Sequence, residues 1–402
     1  MHVAIIGSGI SSLSTIHYFN RNIKIDLYES NDRMGGHTHT HSIKVEGKNV
    51  RVDTGFIVLN DRNYPNLLQL FDKCDVDINK SNMSYSFSDD NDIWCSKDFF
   101  NIKYFLSINN AIFFKSILKF NSLARKSKDS KVSLSQWLKD NSFSEEFINH
   151  YILPMSAAIW STLSEKIKEF PAGHLFKFFD NHGLLNIFNR PQWYSVSNGS
   201  ESYINKILEK SKLNKISFNT KVKIKRKDGK AILISDGKEI EYDFIIFGCN
   251  TNAINEILAD SSEQELNAFN KFKYSKNSVV LHQDESFMPK NKSNWSSWNS
   301  FNRSNRVYLT YWMNNLQNLT TTKNLFVTIG DINNLEFKDV HKELAYEHII
   351  YDSDTLEGQR MLQTLQGKNN LFFTGAYLGY GFHEDGVKSG LDVSNMLNSL
   401  IQ

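Results

Sequence analysis

The pattern of apolar and polar positions predicts strands and helices that alternate at the start of the chain. Residues 2–6 are a continuous apolar run, typical of a buried parallel strand, and a helical pattern follows to about Asn20. Residues 23–29 indicate a second strand, and alternation over residues 43–52 indicates a hairpin. This order is that of a βαβ unit followed by a hairpin.

The rest of the chain changes pattern several times. Residues 61–190 are predicted to be helical and are rich in aromatic side chains. Residues 213–250 predict a strand, a small meander with a turn at each of two Asp-Gly pairs, and a buried strand. Residues 278–330 alternate again and predict a second sheet. The last elements are a buried strand at 371–376 and a helix from about Gly386.

Composition and charge narrow the class of protein. The 402 residues suffice for two domains, and the net charge of +2 gives no overall field that would attract nucleic acid. Cys74, Cys95 and Cys249 are too widely spaced for a metal pair or a disulfide framework, which favours the cytoplasm. We expect no signal peptide before the first strand. We also expect no spanning helix, since no apolar stretch reaches about 18 residues.

A glycine-rich turn after the first strand carries the first chemical signal. Gly7 permits a tight turn, and Gly9 lets backbone N–H groups approach a pyrophosphate at the start of a helix. Ser12 stands at the third position of this pattern, where Gly or Ala is usual. Glu29 ends the second strand, where an acid accepts hydrogen bonds from ribose hydroxyls. These residues predict a dinucleotide-binding unit.

The residues after Glu29 extend the phosphate site. Arg33, the pair Gly35-Gly36 and His37 place a basic group and a second set of backbone donors beside the pyrophosphate. An acid, an arginine and paired glycines in this order resemble the flavin-containing amine oxidase superfamily. The resemblance implies FAD as the cofactor.

Two further segments resemble motifs of the same superfamily. Residues 374–394 resemble its last motif, and the strand that ends before Asn250 resembles its third. The resemblance implies that residues of the last motif line the flavin, and that Val222 contacts the adenine. In total, the predicted cofactor-binding residues are Gly7, Ser8, Gly9, Ile10, Ser11, Ser12, Glu29, Ser30, Arg33, Gly35, Gly36, His37, Val222, Gly375, Asp385, Gly386 and Val387.

The predicted fold is α/β, with a Rossmann-like FAD-binding domain interleaved with a mixed α+β substrate domain. The FAD-binding domain is predicted to comprise residues 1–60, 193–275 and 355–402, and the substrate domain residues 61–192 and 276–354.

Four short motifs resemble one subgroup of the superfamily. They are AIWS at 158–161, FPAGHLF at 170–176, NRPQW at 189–193 and GAYLGYGFHEDG at 375–386. Members of this subgroup accompany methyltransferases similar to cyclopropane-fatty-acid synthase. The resemblance implies a desaturase of methyl-branched acyl chains on phospholipid, in the direction of furan fatty acids, with a methyltransferase as partner.

Two other functions remain open. An amine oxidase of this superfamily often carries a lysine on a substrate-domain strand, where it holds a water at the flavin. Here Asn277 or Ser278 stands at that position, with Lys276 adjacent. A flavoprotein without catalysis, which binds lipid or a methyltransferase, is the third hypothesis.

Three residues of the last motif are candidates for catalysis. His383 and Glu384 could move a proton while the flavin takes hydride, and Tyr380 could contact the substrate. Capping, packing and flavin binding are the alternative roles. His37, His39 and His41 alternate, but the first follows the paired glycines near phosphate, so no metal site is predicted.

The segment 99–120 suggests a membrane surface. It is apolar over a wide face, and Lys103, Lys115 and Lys119 interrupt it, which suits an interfacial helix on anionic lipid at the inner membrane face. The alternative is a buried helix whose lysines extend to water.

Overall fold

A five-stranded parallel sheet forms the first layer of the fold. The structure is a computed structural model, which describes residues 1–19, 22–89, 92–160, 167–303 and 306–400. In spatial order the strands are β10 (Lys215–Ser217), β2 (Lys24–Tyr28), β1 (His2–Ile6), β14 (Phe244–Phe247) and β20 (Leu371–Phe373). All neighbouring pairs are parallel. Three separate stretches of sequence therefore build one sheet.

Two helices pack against each other beside this sheet. They are α1 (Ile10–Tyr18) and the last helix (His383–Ser399). A Cβ on Gly390 would lie 2.3 Å from the carbonyl oxygen of Ser11, so only glycine permits this approach. The hydroxyl of Ser14 donates to the carbonyl of Val387 at 2.9 Å. The helix that follows the glycine-rich turn is thus held by the end of the chain.

A seven-stranded mixed sheet forms the second layer. In order its strands are β19 (Lys342–Ile350), β15 (Lys273–His282), β18 (Phe326–Gly330), β17 (Arg306–Trp312), β16 (Trp298–Arg303), β7 (Tyr85–Ser88) and β8 (Asp92–Cys95). The second sheet expected from residues 278–330 is confirmed. The prediction of helix throughout 61–190 is wrong for β7, for β8 and for the strand Ile78–Ser81, because alternation over four residues is too short to identify a strand.

Three small sheets complete the β structure of the described residues. The predicted meander is confirmed as β11 (Lys223–Lys227), β12 (Lys230–Ser235) and β13 (Lys238–Tyr242). Both residues of each Asp-Gly turn have positive φ, as a two-residue hairpin turn requires. The predicted hairpin is β3 (Thr40–Val45) with β4 (Lys48–Asp53). The last sheet contains β5 (Val58–Asn60), β9 (Trp193–Val196) and β6 (Ile78–Ser81).

Helices rich in aromatic residues occupy much of the stretch 61–190. They include α2 (Pro65–Lys73), α3 (Ile108–Lys126), Leu134–Asp140, Glu145–Phe147, Leu153–Trp160 and Ala172–Asn181. Other helices are Ser202–Glu209, Thr251–Ile257, Glu263–Asn270, Met313–Leu316 and Ser353–Leu365. Phe120 lies at the centre of the aromatic core, with five other rings within 6.4 Å of its own.

The predicted fold class is confirmed, because a parallel sheet from three chain segments lies beside a mixed sheet with its helices. The limits of the two domains stay a prediction. The first helix was expected to reach Asn20, which lies outside the described residues. Among the residues whose placement is described, no helix is long and apolar enough to cross a membrane.

Candidate functional site

A cavity of about 1220 Å³ joins the parallel sheet to the aromatic helices. Its first end is lined by residues that follow parallel strands, among them Ser8, Gly9, Glu29, Ser30, Gly36, Val222 and Gly375. Its second end is lined by apolar and aromatic side chains, among them Met83, Trp94, Phe99, Met155, Ile159 and Leu184. A single small ligand usually fills roughly 300–1,000 Å³. The cavity therefore has room for a dinucleotide and a substrate.

The glycine-rich turn has the shape of a phosphate cradle. Gly7 has φ +93°, and a Cβ there would lie 2.9 Å from the carbonyl oxygen of Gly248. A Cβ on Gly9 would instead meet nothing within 4 Å, so this position faces the cavity. The helix α1 begins at Ile10 without a side-chain cap, which leaves its first N–H groups for an anion. These features fit the pyrophosphate of a dinucleotide.

Glu29 is fixed at the end of β2. Its carboxylate accepts hydrogen bonds from the backbone N–H of Ser8 at 3.0 Å and from the Ser8 hydroxyl at 2.6 Å. The other carboxylate oxygen accepts from the backbone N–H of Asn31 at 2.9 Å. Ser30 and Glu29 both line the cavity. The acid thus stands on the wall beside the glycine-rich turn, where the sequence places it.

Arg33 holds the second glycine loop together. Its guanidinium donates to the carbonyl of Thr38 at 2.9 Å and to that of Gly36 at 2.8 Å. The backbone N–H of Gly35 donates to the carbonyl of Ser8 at 3.0 Å, which joins the two glycine loops. Arg33 therefore shapes the cradle through backbone carbonyls, and its contact with a pyrophosphate stays a prediction.

Four other predicted cofactor residues lie behind the wall. Ser12 packs against β14, since a Cβ on Gly248 would lie 1.9 Å from its hydroxyl oxygen. The carboxylate of Asp385 accepts a hydrogen bond from the backbone N–H of Phe382 at 2.9 Å. Gly386 and Val387 contact α1. Of the last motif's predicted flavin residues, only Gly375 is among the residues that line the described cavity.

His383 is buried on the cavity wall. Its ring stacks on Phe56 with centroids 3.6 Å apart, and its Nε2 lies 3.0 Å from the Thr38 hydroxyl and 3.2 Å from the Tyr203 hydroxyl. Burial, with His37 adding a smaller effect, holds the pKa of His383 well below its usual range. The ring is therefore neutral and held by three neighbours.

Glu384 caps the helix α2. Its carboxylate accepts hydrogen bonds from the backbone N–H groups of Asn66 at 3.1 Å and Leu67 at 3.0 Å, and from the Asn66 amide at 2.6 Å. Carboxylates stabilise helix N-termini through these N–H groups. The geometry favours the structural role over proton transfer for Glu384. Tyr380 does line the cavity, and its ring lies 4.5 Å from that of His174.

The comparison with known families decides the class. The sequence model of the flavin-containing amine oxidoreductases matches residues 19–356. The chain belongs to this family. Its cofactor is FAD, and it is an FAD-dependent oxidoreductase, as the sequence predicts. No curated protein sequence matches the chain.

Several enzymes with solved structures share this fold, and their names indicate different substrates. A fatty acid isomerase from P. acnes that produces CLA aligns over 98% of both chains, with a TM-score of 0.70 and 15% identity. Wild-type putrescine oxidase bound to putrescine aligns over 99% of both chains, with a TM-score of 0.71 and 12% identity. A putative protoporphyrinogen oxidase from Exiguobacterium sp. 255-15 covers 100% of this chain and 99% of its own, with a TM-score of 0.71 and 14% identity. At these identities the likeness shows the fold alone.

A histidine that sequence reasoning missed lies on the cavity wall of this flavoprotein. The Nδ1 of His348, on β19, accepts a hydrogen bond from the Asn277 amide at 2.8 Å. The ring of His348 lies 5.0 Å from that of His37, which also lines the cavity. Burial is the main cause that lowers the pKa of His348 to about 3 and that of His37 to about 4. Both rings are therefore neutral near pH 7.

The strand pattern offered a signal for this residue. Tyr346 and His348 are two apart on β19, so their side chains share one face of the sheet. Both rings contact His37, with centroids 4.9 and 5.0 Å from its own. Asn277 or Ser278 is predicted at the amine oxidase lysine position, and the Asn277 amide contacts this cluster. Lys276 is exposed.

Proposed function

We propose that this flavoenzyme oxidises a fatty acyl chain and leaves a carbon–carbon double bond. The observation that supports the proposal is the second end of the cavity, whose wall includes Met83, Trp94, Phe99, Met155 and Ile159. Each methylene of an acyl chain gains about 0.8 kcal/mol when it leaves water for such surroundings. A long apolar chain is therefore the ligand that this wall binds best.

The proposed reaction balances as a two-electron oxidation. Two adjacent carbons of the chain lose one hydrogen each, and a second bond forms between them. FAD, when bound, accepts the electron pair with one hydrogen as hydride. The other hydrogen leaves as a proton. With dioxygen as the electron acceptor, the electron pair and two protons are taken up as hydrogen peroxide, which closes the cycle. The protein's own part is to hold the chain in place and to exclude water.

The carboxylates of the wall argue against a diamine substrate. Glu29 ends β2, Glu256 lies on the helix after β14, and Glu347 accepts a hydrogen bond from Asn250 at 3.1 Å. All three thus belong to the dinucleotide end of the described wall. At the apolar end of the described wall an ammonium group would contact aromatic faces but no carboxylate, so burial there favours an apolar chain over a charged amine.

The finer substrate is a methyl-branched chain carried on a phospholipid. The four motifs that resemble the methyltransferase-associated subgroup support it. The fatty acid isomerase of the same fold shows that this architecture can serve a fatty acid in another protein. A methyltransferase that supplies the branched chain is the proposed partner. The phospholipid would be the product of the methyltransferase and the substrate of this enzyme.

His348 is the proposed hydrogen-bond donor of the site. Because its Nδ1 accepts from Asn277, the single proton of the neutral ring is on Nε2. A ring fixed in this tautomer offers one N–H group to a ligand in the cavity. The arrangement gives a positioned donor close to His37, without a charge.

An anaerobic reduction experiment tests the proposed function. Purified holoenzyme is mixed with detergent-dispersed phospholipid carrying methyl-branched or straight acyl chains, and in parallel with putrescine or cyclohexylamine. We expect the branched lipid to bleach the oxidised flavin absorbance fastest and to lose two hydrogens by mass spectrometry. Bleaching by an amine alone would assign an amine oxidase. Bleaching by none of them would favour the non-catalytic flavoprotein.

A further inference from the structure

A cluster of large apolar side chains is exposed on one part of the surface. Phe100 is 70% exposed, Ile102 82%, Leu106 83%, Ile108 76% and Phe188 76%. We call these five residues the rim patch. The rings of Phe100 and Phe188 lie 6.5 Å apart, which joins its two chain segments. Soluble monomers rarely expose apolar groups in such a cluster without a binding role.

The exposure of the rim patch is built into a packed segment. Short helices at Asp98–Phe100 and Ile102–Leu106 lead into α3. Their inward side chains pack, since the ring of Phe99 lies 5.2 Å from Trp94 and the ring of Phe105 lies 5.1 Å from Phe114. Packing of the inward side chains therefore fixes the position of the segment and leaves its outward side chains exposed to water.

The rim patch lies beside residues that line the cavity. Phe99 lines the cavity, and the next residue belongs to the rim patch. Leu184 and Arg190 line the same cavity, and Phe188 lies between them in the chain. Wall and patch are thus formed by the same two segments, so an apolar chain at the patch is next to the apolar end of the cavity.

The sequence pattern predicts one helix over 99–120, either interfacial or buried. In the structure this stretch consists of two short helices followed by the first part of α3. The second half is core, because Phe113, Ile117 and Phe120 are buried. The first half carries the exposed residues of the rim patch. Lys119 is engaged by the protein, since its ammonium donates to the carbonyl of Asn141 at 2.6 Å. The alternative of a buried helix therefore fits the second half, and the interfacial helix stays a prediction for the first half.

Positive charge flanks the rim patch. Lys103 lies within the first segment, Lys115 lies one turn beyond the exposed Ile112 on α3, and Arg190 follows Phe188. All three are exposed. Apolar side chains that enter an acyl layer, with cations at the level of the headgroups, are the two components of interfacial binding to anionic lipid.

We propose that the rim patch docks this protein on an anionic phospholipid bilayer. The proposal rests on the proposed function, because a lipid-borne chain must reach the cavity without crossing water. A bilayer supplies both a cover for the patch and the substrate at the cavity end. A second protein on the patch would cover the same end and close it. The rim patch and the apolar end of the cavity therefore both favour a bilayer as the occupant.

Vesicle co-sedimentation of the holoenzyme tests the docking. Wild type, the double variant Ile102→Ser/Leu106→Ser and the double variant Lys103→Glu/Lys115→Glu are mixed with phosphatidylglycerol or phosphatidylcholine vesicles at low and high salt. The control is Leu266→Ser/Val340→Ser, which removes apolar side chains that are 40% and 41% exposed elsewhere. We expect wild type and control to bind phosphatidylglycerol. The serine pair should weaken binding by about ten-fold or more, and the lysine pair should remove the preference for anionic vesicles.

Several outcomes would overturn the docking. The docking is wrong if wild type sediments with neither vesicle, and it is wrong if the rim serine pair binds as tightly as the control. A dimer that the rim serine pair dissociates, without vesicle binding, would assign the patch to a second copy. Flavin reduction by detergent-dispersed lipid separates the two proposals. If lipid reduces the flavin but the protein binds no vesicle, the docking is wrong and the proposed function stands. If the protein binds vesicles but no acyl lipid reduces the flavin, the docking stands and the proposed function is wrong.

Discussion

The amide of Asn277 on β15 and the imidazole of His348 on β19 form a hydrogen bond of 2.8 Å that leaves the histidine proton on Nε2. If this donor contacts the reacting ligand, His348→Phe should slow anaerobic flavin reduction by roughly 10- to 100-fold. The ring volume is kept, so FAD content should not change. Stopped-flow reduction and the ratio of flavin to protein absorbance measure the two effects.

The tautomer predicts the effect of a second variant. Asn277→Asp places a carboxylate at Nδ1, which draws the proton to that nitrogen and turns Nε2 into an acceptor. In the wild type the pKa of about 3 keeps His348 neutral between about pH 5 and 8, so it adds no step to the rate profile. The carboxylate raises this pKa and should introduce one. A variant profile without a new ionisation would contradict the assignment.

A substitution at Gly9 can separate an effect on FAD binding from an effect on folding. Its backbone is extended (φ −70°, ψ 176°), which valine adopts readily, and its Cβ would enter the cavity. Gly9→Val should therefore keep the circular dichroism and thermal transition of the apoprotein and lose bound FAD. Gly7→Val is the contrasting variant, because a φ of +93° and the Gly248 carbonyl should prevent folding. Full FAD occupancy in Gly9→Val would refute the cradle.

Glu384 should contribute to stability and not to chemistry. Glu384→Ala removes an acceptor of three hydrogen bonds at the start of α2 and should cost about 1–3 kcal/mol in the free energy of unfolding. Glu384→Gln retains an acceptor oxygen and should lose less. Urea denaturation gives these values. Flavin reduction by the Gln variant should match wild type, and a large loss of rate with FAD still bound would restore a catalytic role.

Asp385 should make stability depend on pH. Burial raises its pKa to about 6, with Glu384 adding to the rise, so the folded protein binds this proton more tightly than the unfolded chain. Stability from this group is present near pH 4 and is lost as pH rises through about 6, a change of about 3 kcal/mol. Asp385→Asn lacks this proton. The difference in unfolding free energy between wild type and variant, measured from about pH 4 to 7, should follow that loss, and a constant difference would contradict it.

Local patterns predicted the parts of the fold whose causes are local. The strand before Gly7, the Asp-Gly turns of the meander and the acid at Glu29 each follow from a short stretch of sequence. The strands near residues 78–95 escaped prediction because four-residue strands gain their stability from neighbours that are distant in the chain. Periodicity within one stretch carries no information about such partners.

The candidate site likewise contains residues that one stretch of sequence groups together and residues that only distant elements bring together. The glycines of the proposed phosphate cradle lie in one short turn, so their grouping could be predicted from the sequence, whereas their role at a phosphate stays a prediction. Alternation along β19 places His348 on the same face as Tyr346, but the contact of His348 with Asn277 could not be predicted, because it spans 71 positions and exists only once β15 and β19 pair. The hydrogen bonds of Glu384 could not be predicted for a related reason, and its catalytic role stays a prediction. Its neighbours in sequence suggest a site, whereas its hydrogen bonds reach a helix 317 residues away.

The division of the parallel sheet among three chain segments has a consequence for biosynthesis. Strand β1 and α1 are synthesised before β20 and the last helix, which complete their packing and come from residues 371–399. Domains assemble only when their distant parts are present. FAD capture is therefore a late event that follows synthesis of this segment. A premature stop codon before it would yield a chain that retains the glycine-rich turn and the substrate region but acquires no flavin.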